Sequence, residues 1–180
     1  RKTRNEIKIG HLALQHLHID TLLARRKLVA AGLSIDDFHL FAFKDKRRPI
    51  KPGTQKPLPA DMVTTLPLDF AIEHVRIRNS YIKYQEISPK NISEGEMYFS
   101  NLQADMYNLT NDSALLNGPE PLRLKASARL QGKSPVSLEW SVPANGPISD
   151  QLVKGHVRNL DLTSVNAILQ TAASITVEDG

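Results

Sequence analysis

The apolar residues of this chain recur mainly at every second position. Leu122–Leu130 alternates without a break, with Leu122, Leu124, Ala126, Ala128 and Leu130 on one side and Arg123, Lys125, Ser127 and Arg129 on the other. Strict alternation predicts a half-buried β-strand. Gln131-Gly132-Lys133 supplies a turn, and Val136, Leu138, Trp140 and Val142 repeat the pattern, so a hairpin is expected with one apolar and one polar face. A turn at Pro143–Pro147 follows, and then a strand over Gln151–Leu162 that ends at Asp161.

Earlier segments carry the same rhythm with slips of phase. Ile7 and Ile9 give way to Leu12 and Leu14 across Gly10-His11, and then to Leu17 and Ile19. Leu33 and Ile35 give way to Phe38, Leu40 and Ala42 across Asp36-Asp37. Phe70 and Ile72 give way to Val75 and Ile77 near Glu73-His74. A β-bulge produces such a slip. Asn79-Ser80 has the spacing of a tight hairpin turn between Val75–Arg78 and Tyr81–Gln85, and Glu94-Gly95 reads as another turn before Met97, Phe99, Leu102, Ala104 and Met106. Two short helices are expected: one over Asp20–Arg26 with Asp20 as cap, and one over Leu162–Ala173 capped by Thr163 or Ser164. The predicted fold is mainly β, with curved antiparallel sheet in a groove-like or sandwich-like form and one or two short helices. Its parts are residues 1–43, a loop over 44–67, and 68–180, forming one continuous module.

Composition narrows the chemistry. At 180 residues, 41% hydrophobic and 23% charged, the chain can build a core of its own. It has no cysteine, which excludes disulfides, thiolate metal sites and a cysteine nucleophile. No apolar run reaches the ~18 residues of a membrane helix. It begins at Arg1 rather than Met and reads as a piece of a longer protein. The net charge is +4, yet Lys44–Lys56 alone holds Lys44, Lys46, Arg47, Arg48, Lys51 and Lys56 against Asp45. Five prolines between Pro49 and Pro67 bar this stretch from the middle of a sheet. Lys46, Arg47, Arg48 and Lys51 are therefore candidate contacts for anionic headgroups on an exposed loop. The stretch has no aromatic residue for stacking on bases, so no nucleic-acid partner is expected.

His16 and His18 would share a face of a strand, as two metal ligands must, but no third ligand accompanies them. Asp36-Asp37 and Glu94/Glu96 are paired acids at turns rather than in a cleft. The G-x-S-x-G, Walker, G-x-G-x-x-G and H-E-x-x-H motifs are all missing. Neither a catalytic residue nor a metal or cofactor is assigned, and the chain is read as a non-enzyme. Asn91, Asn108 and Asn111 stand in N-x-S/T sequons, which turn chemistry explains equally well. The working feature is then the apolar strand face, with Val75, Ile77, Met97, Phe99, Leu122, Leu124, Val136, Leu138 and Trp140 as candidate lipid contacts. Two short helices give little to cover such a face.

Several segments together resemble the AsmA-like family of Gram-negative envelope proteins, which includes the TamB-related proteins, and especially its members from Bacteroidetes-type bacteria. Ile7–Gly10 with Leu12, Leu14, Leu17 and Ile19-Asp20 is similar to the family's opening strands, and Leu33–Leu40 continues them. Leu66–Glu86 resembles its hairpin of an inner strand, a turn and a Tyr-containing strand, followed by Glu94–Leu102. Gly155–Leu162 leading into Val165–Leu169 resembles its strand and short-helix unit, with Ala167 where proline is usual. The resemblance implies a long curved β structure with an apolar inner face, in the periplasm. It also implies an anchor in the inner membrane outside this segment, and a part in outer-membrane biogenesis or inter-membrane lipid transport, with phospholipid or another envelope lipid as partner. The alternative is a structural or adhesion β-domain that binds a protein or glycan through its loops.

Overall fold

The computed structural model describes residues 4–47, 68–89, 94–112, 115, 120–142 and 150–179. Seven strands form one open sheet in chain order: β1 (Arg4–Leu17), β2 (Lys27–Asp45), β3 (Asp69–Ile87), β4 (Glu94–Thr110), β5 (Leu122–Leu130), β6 (Ser134–Val142) and β7 (Leu152–Val157). The fold is mainly β, as the alternation predicts. The sheet is mixed rather than wholly antiparallel, because β2 and β3 run parallel while every other neighbouring pair is antiparallel. Parallel neighbours need a connection of about a dozen residues or more, and the chain between Asp45 and Asp69 makes it. Alternation within a strand carries no information about its neighbour's direction.

Two predicted turns lie inside strands. Asn79-Ser80 does not close a hairpin: β3 runs through it for 19 residues, and Asn79 takes a left-handed φ of 51°. Glu94-Gly95 opens β4. The reason is a row of kinks. Asp37 (φ 56°), Asn79 (φ 51°) and Asn101 (φ 50°) fall at neighbouring positions on β2, β3 and β4, with Gly10 of β1 beside Asp37. Asp and Asn tolerate this conformation best among residues with a side chain. Each kink shifts the alternation by one residue, so Ile77 and Ser80, or Ile35 and Phe38, face the same way. Because the kinks sit side by side, β1, β2 and β3 change phase together and the β1–β2 and β2–β3 registers continue unbroken past them. A second such row contains His16 (φ 50°) and Asn108 (φ 60°). It explains the slip near Glu73-His74, where β3 itself has no left-handed residue.

The helices are placed as expected, with shifted ends. α1 (Ile19–Arg25) begins after His18, and Asp20 lies in its first turn instead of capping it. The strand predicted to end at Asp161 stops at Val157. A 3-10 turn at Leu162–Val165 then leads into α2 (Asn166–Ala173). Asp161, and not Thr163 or Ser164, caps this turn by accepting from the Thr163 N–H at 2.9 Å. The predicted turn at Pro143–Pro147 and the sequon at Asn91 lie outside the described residues.

The buried centre lies on the middle strands, where Phe70, Ile72 and Val75 pack with Leu28, Leu33, Ile35, Ile77, Met106 and Leu109. Phe70 and Ile72 would face away from Val75 in an unkinked strand, so the phase shift is what assembles this cluster. α2 lies across β4 and reaches β3. Its approach requires a glycine: a Cβ on Gly95 would stand 2.5 Å from the Ala167 carbonyl oxygen and 2.6 Å from Thr171 Cβ. α1 packs against β2. Among the described residues no second sheet covers the seven strands.

Candidate functional site

Cross-strand pairing orders the apolar side chains into rows. Directly opposed residues put their side chains on the same face. Leu14, Leu33, Val75, Met106, Leu124, Trp140 and Val153 are successive partners across all seven strands. Leu12, Ile35, Ile77, Ala104, Ala126, Leu138 and Gly155 form the adjacent row. Beyond the kinks, Ile7, Leu40, Ile82, Phe99 and Leu130 form another, with Met97 opposite Tyr84 next to it. Leu122 pairs with Val142, and Val136 pairs with Ala128 and Val157. All nine residues singled out in the sequence therefore share one face. Leu12, Leu14, Leu33, Ile35, Met106 and Val153 complete it. Their alternation is visible in the sequence, but their membership of the same face depends on the kink rows and the pairing.

This face is closed at its centre and open at its flanks. Val75 is 3% exposed, whereas Ile7 and Val153 are both 59% exposed and Leu12 is 52% exposed. At strand separations of about 4.8 Å, seven strands span roughly 29 Å. The face is therefore a broad apolar surface with a partly buried floor rather than a small-molecule pocket.

The opposite face is mostly polar and internally paired, apart from Phe43 and Ile87, which are buried near the ends of β2 and β3. Asp105 accepts from both Arg78 (2.9 Å) and His74 Nε2 (2.8 Å), and His74 stacks on Tyr107 with ring centres 4.6 Å apart. Burial raises the Asp105 pKa, but the hydrogen bonds from His74 and Arg78 outweigh it and leave the group below the usual carboxylate range. Lys83 binds Glu96 at 2.8 Å, which likewise lowers the Glu96 pKa. An open concavity of about 210 Å³ lies over β5, β6 and β7, with Arg123, Lys125, Glu139 and Lys154 among its walls.

Two of the four candidate headgroup cations, Lys46 and Arg47, are ion-paired at the end of β2. Lys46 Nζ lies 2.8 Å from Glu86 Oε1, and Glu86 also accepts from Tyr84 at 2.6 Å. Glu86 is 2% exposed. Burial raises its pKa, yet the bonds from Lys46 and Tyr84 bring it below the ordinary value. The same arrangement pushes the Tyr84 hydroxyl far up, through burial first and then its bond to Glu86. Arg47 makes paired contacts of 2.9 and 2.8 Å to Asp45 and thereby holds that carboxyl far down. Arg48 and Lys51 lie outside the described residues. The Lys46–Glu86 pair clamps the end of β2 to β3, while the Arg47–Asp45 pair is local to the end of β2.

The remaining sequence candidates are dispersed. His16 sits at a kink and His18 lies beyond the end of β1, so the two do not share a strand face. Asp37 occupies a kink, and Glu96 is paired with Lys83 and Gln85. The Asn111 amide accepts from the Phe70 N–H at 2.7 Å and donates to the Leu68 carbonyl at 3.0 Å, and Asn108 donates to the Pro121 carbonyl. Both sequon side chains thus serve the backbone. Among the described residues no three His, Asp or Glu side chains converge as a metal site would require. No protein-family model matches the chain, and no curated protein matches it.

Proposed function

We propose that this chain is a lipid-handling, non-enzymatic module of an AsmA-like envelope protein, whose apolar sheet face takes acyl chains. The observation that carries the reading is the two uninterrupted rows of apolar, alanine and glycine positions crossing seven strands, with exposure rising from the floor to both edges and no second sheet over them among the described residues. A water-exposed surface of this extent is costly for a protein that has no use for it. Each methylene laid on it contributes about 0.8 kcal/mol, so a single acyl chain suffices for binding without any covalent chemistry. The family resemblance supplies the setting: a periplasmic module of a protein anchored in the inner membrane, working in outer-membrane biogenesis or in lipid movement between the membranes.

Leu138 provides the test. It is half-buried, its β7 partner is Gly155, and it lies outside the central cluster. Leu138→Asp is expected to abolish uptake of a fluorescent fatty acid and retention of phospholipid in native mass spectrometry, while the circular dichroism of the sheet is kept. If the wild-type chain is lipid-free and binds no fatty acid, or if Leu138→Asp unfolds the whole domain, the face is an ordinary core and the reading fails.

A further inference from the structure

β1 is an edge strand of 14 residues, hydrogen-bonded among the described residues only to β2. Long apolar edges recruit another strand unless they are interrupted by charge, proline or a change of shape. Here Ile7, Ile9, Leu12 and Leu14 remain 59%, 47%, 52% and 39% exposed.

The strand is also self-complementary. Ile7, Ile9, Leu12 and Leu14 face the apolar side, as their pairing with Leu40, Phe38, Ile35 and Leu33 shows. Glu6, Lys8, His11, Ala13 and Gln15 face the polar side. This order reads the same in both directions about the Gly10–His11 peptide. We propose that β1 pairs antiparallel with β1 of a second copy about a two-fold axis through that peptide. Ile7 then meets the partner's Leu14, and Ile9 meets the partner's Leu12, each contact occurring twice. Lys8 meets the partner's Ala13 and Glu6 meets the partner's Gln15, so no like charges are opposed. Residues on the same face of a strand also direct their N–H and C=O to the same side, so matching faces brings donors to acceptors. The spacing repeats what β2 already offers the inner edge of β1, where Leu33, Ile35, Phe38 and Leu40 take the same four partners. β7 is a poorer edge: it has six residues, and the same operation about Gly155 would set Lys154 against His156. The dimer doubles the sheet and continues its apolar face across the axis, and it holds whatever that face binds.

The register is testable because the chain has no cysteine. Under mild oxidation, an equimolar mixture of Ile9→Cys and Leu12→Cys chains is expected to give a covalent dimer, and neither variant alone should do so. Sedimentation of the wild-type chain should show a monomer–dimer equilibrium. Ala13→Lys sets one lysine against each of the two Lys8 side chains of the dimer and should raise the dissociation constant about tenfold, whereas Ala13→Glu should not weaken association. Both variants alter one polar-face position, and equal circular dichroism would confirm that each folds. A monomer at every concentration would overturn the proposal. So would cross-linking by Leu12→Cys alone, or a dimer that ignores both Ala13 variants but dissociates on Leu138→Asp.

Discussion

Replacing Gly95 by alanine reverses the usual sign of that substitution. Inside a strand, glycine costs about 0.5–1 kcal/mol relative to alanine, because its backbone loses more freedom on folding. Gly95→Ala would accordingly stabilise β4 if nothing stood above it. The added methyl instead lies 2.5 Å from the Ala167 carbonyl oxygen and 2.6 Å from both Cβ and Oγ1 of Thr171, where ordinary contact begins near 3.4 Å. The carbonyl belongs to the backbone of α2, so relief requires the helix to withdraw by about 0.9 Å. Overpacking of this kind costs about 1–3 kcal/mol. The net expectation is a loss of about 1–2 kcal/mol, which lowers Tm by about 2–8 °C in a chain of this size. Urea unfolding measures the loss, and hydrogen exchange should locate it as faster exchange in α2. Gly155→Ala is the control: there the nearest atom to a new Cβ is the Ser137 carbonyl oxygen at 3.9 Å, so the variant should be neutral or slightly stabilised. Equal stabilisation by both substitutions would refute the close packing of α2 on β4.

The kinks and the buried ion pair give two further expectations. Asn79→Val should lose about 1–2 kcal/mol in urea unfolding, because φ 51° is strained for a β-branched residue, whereas Asn79→Gly should be nearly neutral; equal losses would show that the conformation is not required. Glu86 and Asp105 have carboxyl pKa values below their unfolded ones, so their stabilising contribution is full above about pH 4.5 and is lost as pH falls through the folded values. Lys46→Met should cost about 1–3 kcal/mol at neutral pH by leaving Glu86 without its cation, and should flatten the acid limb of the stability curve, since protonating Glu86 then relieves the buried charge. An unchanged acid limb would remove Glu86 from the account.

Much of this architecture is written in the order of side chains. Alternation identifies Leu122–Leu130 and Ser134–Val142 as strands to the residue or nearly so, and places the turn between them. It also marks every phase slip, since an apolar pair followed by a gap of three appears in the sequence whether or not the chain turns there. That same signal misleads at Asn79-Ser80. Asparagine favours a left-handed φ both in a hairpin turn and in a strand kink, and only the neighbouring strand distinguishes them: the kink of β3 is matched by Asp37 on β2 and Asn101 on β4.

The sequence by itself determined that the chain is a β protein, which side chains are apolar, and where alternation breaks, because these follow from local sterics and a period of two. Only the tertiary structure decided that β2 and β3 run parallel, that the breaks align into common rows, that nine scattered residues and their neighbours form one face, and that Lys46 pairs with Glu86. Those outcomes depend on pairing between residues distant in the chain, such as Lys46 and Glu86, and no local pattern encodes which of many distant partners a strand or a charge will meet.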